Sequence, residues 1–265
     1  WGGNMTGRLE GKVAIITGGG GAMGGAQARR FATEGASVCA ADLSLEAAER
    51  VVADVKKAGG KAIAAQLDVR NAAQWEETVQ RTEDTFGAVN VLCNLAGANF
   101  RVSFDEQTEE QWQVIMDTGL TGAFLGIKAV IPSMRKSGKG AILNMGSLAA
   151  IRPRGGSPAY AAQKMGMIGL TRSAAASYAR DNIRCVIISP GHVDTPFLRG
   201  NNSYSPNDWS TSIENPENYE RRLGSTPMGR LMTPDDLANA FLFAASDEAA
   251  MVTGSMITVD GGAGM

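Results

Sequence analysis

Residues 12–25 read K-V-A-I-I-T-G-G-G-G-A-M-G-G, and this stretch decides the fold. Its first six residues are mostly apolar and rich in β-branched side chains, which predicts a buried parallel strand. A glycine-rich turn follows, and the run A-Q-A-R-R-F-A-T-E-G after it has the composition of a helix. Unpaired N–H groups and the positive dipole end of that helix would meet at the turn. The stretch therefore predicts a site for a pyrophosphate group.

The next apolar run, A-S-V-C-A-A-D, ends in Asp42, eighteen residues after Gly24. An acid at this spacing is expected to accept hydrogen bonds from the hydroxyls of an adenosine ribose and to repel a 2′-phosphate. Residues 19–21 and the positions just after Asp42 contain no Arg or Lys. The sequence therefore favours NAD over NADP as the cofactor.

Strand and helix patterns alternate along the rest of the 265 residues, which favours one α/β domain over two. We expect residues 7–265 to form this domain and residues 1–6 to be an expression remnant and a disordered N-terminus without a signal peptide. The formal net charge of −2 argues against a nucleic-acid partner or a membrane surface. The best apolar run, L-T-G-A-F-L-G-I-K-A-V-I, is interrupted by Lys128 before it reaches the length of a membrane span.

Three cysteines, Cys39, Cys93 and Cys185, each fall inside an apolar, strand-like run. Their odd number and their positions favour buried free thiols in a reducing cytoplasm over a disulfide framework. No spacing typical of a metal site is present, so we expect no metal.

Residues 147–164 read S-L-A-A-I-R-P-R-G-G-S-P-A-Y-A-A-Q-K and look like an active site. Tyr160 and Lys164 are four residues apart in a helical pattern, so their side chains should share a face. A tyrosine with a pKa near ~10 needs about 4 kcal/mol of stabilisation to act as a base at neutral pH. One cation at about 4 Å and an effective dielectric of ~20 supplies roughly that energy. Ser147 follows the apolar run G-A-I-L-N-M, so its hydroxyl would lie at the carboxyl end of a strand, where it could hold a substrate oxygen.

Further patterns predict the remaining elements in order. Strands are expected at residues 61–69, 89–93, 140–145, 183–188 and 256–259, and helices at residues 45–58, 72–86 and 108–135, around Tyr160 as far as residue 181, and from residue 234. Residues 197–233 are polar and irregular, with Tyr204, Trp209, Ile213 and Tyr219 spaced so that they could form one apolar face. We expect this segment to be a mobile lid over cofactor and substrate, the alternative being a permanently ordered insertion against a neighbouring subunit.

With these features, the chain resembles the short-chain dehydrogenases/reductases from about Gly7 to its end. The matching motifs are Thr17-Gly18-x-x-x-x-x-Gly24, Asp42, Asp68-Val69, Asn94-x-Ala96-Gly97, Ser147, Tyr160-x-x-x-Lys164, Pro190-Gly191 with Thr195, and Asp260-Gly261-Gly262. The resemblance implies a Rossmann-like, doubly wound, seven-stranded parallel sheet with helices on both faces, and a homotetramer. It also implies reversible hydride transfer between NAD and a secondary alcohol or ketone.

The resemblance assigns roles to individual residues. Tyr160 becomes the acid/base, Lys164 binds the nicotinamide ribose and lowers the tyrosine pKa, and Ser147 orients the substrate oxygen. The positions expected to contact NAD are Gly18, Gly21, Ala22, Met23, Gly24, Asp42, Leu43, Asp68, Val69, Asn94, Ala96, Gly97, Tyr160, Lys164, Pro190, Gly191, Val193 and Thr195.

Two positions depart from the family pattern. Ala22 replaces the middle glycine of the phosphate turn, and a single methyl group at a helix start is compatible with cofactor binding. Gly119 stands in Gly119-Leu120-Thr121-Gly122 where the family has the Asn of N-x-x-G, a residue of its water-mediated proton relay. Either a water takes the place of that amide, or proton exchange is slower.

Two other functional classes compete with a dehydrogenase. A nucleotide sensor or scaffold would have lost the chemistry, yet Ser147, Tyr160 and Lys164 are all present. A cofactor-free lyase or dehalogenase would typically have lost the lysine and the glycine turn. Near the mouth of the site, His192 is the single histidine, and Arg152, Arg154 and Arg199 could attract an anionic substrate or serve as solvated surface residues.

Overall fold

The protein is described here by a computed structural model, which covers residues 7–153 and 155–265. The expectations for residues 1–6 and for Arg154 concern positions outside these ranges. Within the described ranges, the elements follow one another as the sequence pattern predicts, strand and helix in alternation.

A seven-stranded parallel sheet forms the centre of the molecule, with the strand order β3-β2-β1-β4-β5-β6-β7. Its strands are β1 (Val13–Thr17), β2 (Ser37–Asp42), β3 (Lys61–Gln66), β4 (Val91–Asn94), β5 (Gly140–Met145), β6 (Ile183–Pro190) and β7 (Met256–Val259). The order reverses direction between β1 and β4, and at such a switch point the strand ends leave a crevice for ligands.

Helices cover both faces of the sheet. They are α1 (Ala22–Thr33), α2 (Leu45–Lys57), α3 (Ala72–Phe86), α4 (Glu109–Met116), α5 (Gly122–Ser137), α6 (Pro158–Tyr178), α7 (Pro196–Arg199), α8 (Pro216–Gly224) and α9 (Pro234–Ala245). One buried apolar cluster joins α1, α2 and α9 to the sheet, and a second joins α3, α5 and α6 to its other face. The predicted doubly wound fold class is confirmed.

The helix predicted over residues 108–135 is interrupted. Thr108 caps α4 as expected, but Asp117–Thr121 forms a π-helical segment between α4 and α5, which we call the π segment. Short π segments of this kind are frequent at functional sites. Counted as one helix, Glu109–Ser137 is long and apolar enough by composition to cross a membrane. Its packing on β4, β5 and α3 is that of a core helix in an α/β fold.

Residues 197–233 are more ordered in structure than their composition indicates. Side-chain amides hold the chain together: Asn207 donates to the carbonyl oxygens of Phe197 and Gly200, and Asn218 to those of Ser210 and Ser212. The predicted single apolar face is wrong, because Ile213 is buried whereas Trp209 is 66% exposed. Whether this segment moves as a lid remains a prediction.

The three cysteines are free and buried, as predicted. Burial raises the pKa of the Cys39 thiol to about 11 and raises the pKa of Cys93 further. These thiols are therefore protonated at neutral pH and are inert core residues.

Candidate active site

The carboxyl ends of the strands surround one cleft of about 1250 Å³. This volume exceeds the usual range for a drug-sized ligand and suits a dinucleotide together with a substrate. Among the residues predicted to bind the cofactor, all except Asn94 line this cleft, and Ser147 lines it too. One connected space therefore brings together the glycine turn, Asp42 and the Ser-Tyr-Lys group.

The glycine turn is built so that its backbone comes close to the cleft. Gly18 has a φ of +64°, a conformation that favours glycine. A Cβ on Gly24 would lie 2.1 Å from the carbonyl oxygen of Gly18, so the helix starts directly against the turn. No side chain caps α1, whose first residue is Ala22. Its first-turn N–H groups are thereby left for an anion.

Asp42 ends β2 with its carboxylate oriented by the backbone. Its two oxygens accept hydrogen bonds from Gly20 N, at 3.0 Å, and Ser44 N, at 3.0 Å. The cleft wall nearby includes Arg50, a cation that the sequence pattern did not place here. Arg50 is bound by Glu46 at 2.7 Å, so its charge is already compensated.

Asp68 and Val69 follow β3 and line the same end of the cleft. Arg70 binds the Asp68 carboxylate with two nitrogens, at 2.8 and 2.7 Å, and this contact lowers the pKa of Asp68. The carboxylate is thus ionised and held in place at neutral pH. Arg70, like Arg50, is a cation at the Asp42 end of the cleft that sequence analysis missed.

Asn94 does not line the cleft. Its amide donates to Asn144 Oδ1 at 2.8 Å, and Asn144 in turn donates to Thr171 Oγ1 at 2.9 Å, all inside the core. The neighbouring residues do reach the cleft, because Thr17 Oγ1 accepts hydrogen bonds from the N–H groups of Leu95 and Ala96. Asn94 therefore links β4 to β5 by a side-chain hydrogen bond, and the prediction that it contacts the cofactor is wrong. Ala96 and Gly97 form the wall of the cleft at this strand end.

The end of β6 forms the opposite wall. A Cβ on Gly191 would lie 3.0 Å from Asp260, so glycine is needed where the chain passes the strand β7 end. Val193 and Thr195 are nearly buried and line the cleft just before α7. This wall leads directly into the segment of residues 197–233.

Ser147, Tyr160 and Lys164 meet at the centre of the cleft. Ser147 follows β5, and its hydroxyl lies near enough to Tyr160 to lower the pKa of the phenol, while Pro158 starts α6 just before Tyr160. Lys164 lies one turn further, with Nζ 5.3 Å from the centre of the Tyr160 ring. Its ammonium donates to the Met145 carbonyl oxygen at 2.9 Å and is almost fully buried.

The electrostatics of Tyr160 differ from the expectation. Burial raises its pKa, while the hydrogen bond with Ser147 and the positive charge of Arg101 lower it. Lys164 Nζ lies over the ring and donates to the Met145 carbonyl oxygen, and Arg101 contributes a second positive charge near the phenol. Tyr160 is therefore protonated at neutral pH, as a proton donor for ketone reduction requires.

Arg101 is the main site residue that sequence analysis missed. It stacks over the Phe197 ring at 5.1 Å and donates to Ser205 Oγ at 2.8 Å and to the Phe197 carbonyl oxygen at 3.0 Å. Burial lowers its pKa to about 10. No local motif marks it in the sequence.

The predicted arginines at the mouth have separate roles. Arg199 forms an ion pair with Asp194, and Arg152 donates to the main-chain oxygens of Ala263 and Met265. His192 lines the cleft with Nδ1 at 3.3 Å from Arg222 Nη1. Arg152 lines the cleft as the sequence indicated. Arg101 and Arg222 line it as well, and the sequence had singled out neither.

Lys164 carries a cost in stability that can be measured. Burial lowers its pKa from 10.5 to about 8, which corresponds to roughly 3 kcal/mol of unfavourable free energy while the native lysine is charged. Between these two pKa values the unfolded chain binds more protons than the folded one, so this cost disappears as pH rises from 8 to 10.5. We expect Lys164→Met to raise the free energy of unfolding by up to about 3 kcal/mol at pH 6.5 and by much less at pH 9.5.

Urea unfolding at the two pH values measures this difference. Lys128→Met, at an exposed position on α5, is the matched control and should show no such pH dependence. Equal stability of Lys164→Met and the natural protein at pH 6.5 would contradict the assigned burial cost.

Comparisons with known proteins agree with this geometry. A family model described as enoyl-(acyl carrier protein) reductase matches residues 20–264. The 2,5-dichloro-2,5-cyclohexadiene-1,4-diol dehydrogenase of Sphingobium indicum is 39% identical over 97% of this chain and 98% of its own length. The cyclohexanol dehydrogenase of an Acinetobacter species is 33% identical over 97% of this chain and 96% of its own.

Among solved structures, a short-chain dehydrogenase/reductase from Burkholderia xenovorans superposes with a TM-score of 0.86. It is 37% identical, and the match covers 97% of this chain and 98% of the other. Both the sheet and the helices around the cleft therefore have counterparts in a protein of known structure.

Proposed function

The chain belongs to the short-chain dehydrogenase/reductase family, and we propose that it is an NAD-dependent enzyme that interconverts a secondary alcohol and the corresponding ketone. Its relatives are dehydrogenases that act on CH–OH groups, so an oxidoreductase is the class of enzyme they support. The observation that carries the finer proposal is the meeting of Ser147, Tyr160 and Lys164 in the same cleft as the glycine turn and Asp42.

The residues of the cleft fit a dinucleotide. The uncapped start of α1 suits the pyrophosphate, Asp42 suits the adenosine ribose, and Lys164 suits the ribose beside the nicotinamide. When bound, the nicotinamide ring supplies or accepts the hydride. The wall of small residues at Ala96, Gly97 and Gly191 leaves room for a flat ring.

The protein groups then handle the proton and the substrate oxygen. In ketone reduction the Tyr160 hydroxyl donates its proton to the substrate oxygen, and Ser147 donates a hydrogen bond to the same oxygen. In alcohol oxidation the tyrosinate accepts that proton, and the positive charge of Arg101 favours its ionisation. A sensor or scaffold would not need this group, which disfavours the second candidate function.

Asp42 is expected to make the enzyme prefer NADH. Repulsion of a 2′-phosphate and loss of the ribose contact predict a kcat/KM for NADH at least about tenfold above that for NADPH. Asp42→Ser should reduce this ratio, whereas Asp54→Ser, at an exposed carboxylate of α2 outside the cleft, should leave it within about threefold. Steady-state kinetics with both cofactors measures it, and equal efficiency in the natural protein would contradict the assignment.

A homotetramer in the cytoplasm is the proposed state of the protein. Exposed large apolar side chains on three neighbouring helices support an assembly: Trp112 on α4, Phe124 on α5 and Met165 on α6. Three buried free thiols support a reducing compartment. Light scattering coupled to gel filtration tests the assembly.

A further inference from the structure

The charges lining the cleft are distributed unevenly. Among the described lining residues the carboxylates are Asp42 and Asp68, and both lie at the end expected to hold the adenosine. The other end contains Arg101, Arg221 and Arg222 in addition to Arg152, which is held by main-chain oxygens. The substrate end of the cleft is therefore strongly positive.

Arg101 lines the cleft together with Tyr160, and its charge lowers the pKa of the phenol. Its recorded hydrogen bonds go to a hydroxyl and a carbonyl oxygen, which are neutral acceptors, and its guanidinium has five donors in total. Arg222 lines the same end of the cleft, where its Nη1 lies 3.3 Å from His192 Nδ1. An anionic group between the two guanidinium groups would accept charge-assisted hydrogen bonds from both.

We propose that the substrate carries an anionic group, a carboxylate, sulfonate or phosphate, that Arg101 and Arg222 bind while its carbonyl lies at Tyr160. This inference rests on the proposed ketone reduction. It places the substrate among charged ketones and alcohols. In addition to its contact with Phe197, Arg101 would then select substrates that carry an anionic group.

Matched substrate pairs test the proposal. We would measure kcat/KM with NADH for 3-oxo acids of four to eight carbons, for their methyl esters and for cyclohexanone. We expect the acids to exceed the esters at least about tenfold, and Arg222→Gln to remove at least about tenfold from the acids while changing the esters less than about threefold. Arg101→Gln, whose charge also acts on Tyr160, should lower both substrates but the acids at least about tenfold more. Arg135→Gln, an arginine on α5 paired with Asp181, is the control.

Each other outcome is decisive. Equal use of acids and esters, reduction of cyclohexanone alone, or equal losses for both substrates in Arg222→Gln would overturn the anionic class while leaving the dehydrogenase intact. No NADH oxidation with any ketone would overturn the proposed function itself. Arg222→Gln decides the matter if Arg101→Gln fails to fold, because Arg101 also holds Phe197 and Ser205.

A second inference concerns Gly119, and an independent contact carries it. Gln163, the residue before Lys164 on α6, is 1% exposed and packs against the π segment. A Cβ on Gly119 would lie 2.6 Å from its Cδ and 2.8 Å from its Nε2. The carboxamide of Gln163 thus occupies the space where a side chain at residue 119 would begin, which explains why glycine stands there.

Two buried polar atoms in this region lack a protein partner. Gln163 Nε2 and Thr118 Oγ1 have no hydrogen-bond partner among the described residues, and Thr118 also lines the cleft. Buried donors of this kind are normally satisfied by an internal water. Lys164, next in the chain, is 3% exposed, so its ammonium has little direct contact with bulk solvent.

Each ketone reduction removes one proton from the site, and that proton must be replaced from solvent. We infer that Gln163 is a positioning residue for this replacement: its amide holds the π segment and a water there, through which Lys164 regains its proton. Lys164 passes one proton to the tyrosinate that reduction leaves, and the lysine regains one from this water, which takes one from solvent, so that charge and atoms balance in every turnover. The carboxamide that the family carries at residue 119 is thereby supplied from α6. This inference also rests on the proposed function.

A residue swap separates this role from simple packing. We expect Gln163→Ala to lower kcat about five- to twentyfold with KM within about twofold, and Gly119→Asn to lower the melting temperature by overpacking. The double variant should recover both properties to within about threefold of the natural kcat. Added imidazole buffer should accelerate Gln163→Ala but not the natural enzyme, because a small base can replace the lost proton path.

Gly166→Ala serves as the packing control, because a Cβ there would press on Leu120 of the same π segment at 2.9 Å. It should lower stability without creating a response to imidazole. An unchanged kcat in Gln163→Ala, or a double variant no better than the worse single variant, would overturn the inference. If the natural protein reduces no ketone, the proposed function fails. The contact between residues 119 and 163 would still be tested by comparing the melting temperature of the double variant with those of the two single variants.

Discussion

Tyr160→Phe is expected to lower kcat for ketone reduction at least about a hundredfold, the lower end of the effect of a lost acid/base. Phenylalanine keeps the ring beside Lys164, but it removes the hydroxyl that bonds to Ser147 and would deliver the proton. The dissociation constant for NADH should change less than about threefold, since the glycine turn and Asp42 are untouched.

Tyr178→Phe is the matched control, because Tyr178 ends the same helix and contacts Arg135 away from the cleft. Stopped-flow measurement of a single turnover, with NADH fluorescence as the binding signal, separates the two effects. Near-normal turnover in Tyr160→Phe would remove this residue from the mechanism.

Gly24→Ala is expected to raise the dissociation constant of NADH at least about a hundredfold, equivalent to about 2.7 kcal/mol. The added Cβ would lie 2.1 Å from the Gly18 carbonyl oxygen and 2.8 Å from its carbon, and both are backbone atoms that cannot rotate away. The turn must therefore move, and the N–H groups at the start of α1 lose their position for the pyrophosphate.

Gly169→Ala on α6 is the control, because nothing lies within 4 Å of its added Cβ. It should keep both stability and NADH affinity. Fluorescence titration of NADH together with a melting curve measures the pair. An affinity of Gly24→Ala within about threefold of the natural protein would contradict the role of the turn.

Local patterns were sufficient to predict the sheet and most of the cleft. The β-branched run before Gly18, the acid at the end of β2 and the spacing of Tyr160 and Lys164 depend on neighbours within a few residues. These are the features that periodicity and turn chemistry report. The doubly wound sheet of seven parallel strands entered through the family resemblance and is confirmed.

Contacts between distant segments were not predictable in the same way. Arg101 meets Phe197 and Ser205 about a hundred residues further on, and Gln163 fills the space at Gly119 from another helix. Neither residue stands in a motif, so their roles depend on packing alone. The π segment was likewise not predicted, because its residues continue an apolar helical pattern without a break signal such as proline.

The hydrogen bonds that hold residues 197–233 together could not be predicted from the sequence, for a physical reason. Its Asn and Ser residues indicate an irregular chain when only apolar periodicity is considered. In the structure, Asn207 and Asn218 use these polar side chains to satisfy several carbonyl groups each, which replaces the hydrogen bonds of regular elements. Side-chain amides that bond to the backbone leave no periodic signal in a sequence.

Transfer of deuterium tests the central claim most directly. The protein would be incubated with NADH deuterated at the transferable position of the nicotinamide and with the ketone panel, and the alcohol product analysed by mass spectrometry and NMR. The account predicts one deuterium at the carbinol carbon of the product, with Tyr160→Phe forming it at least about a hundredfold more slowly. Absence of label at that carbon across the whole panel would contradict the account.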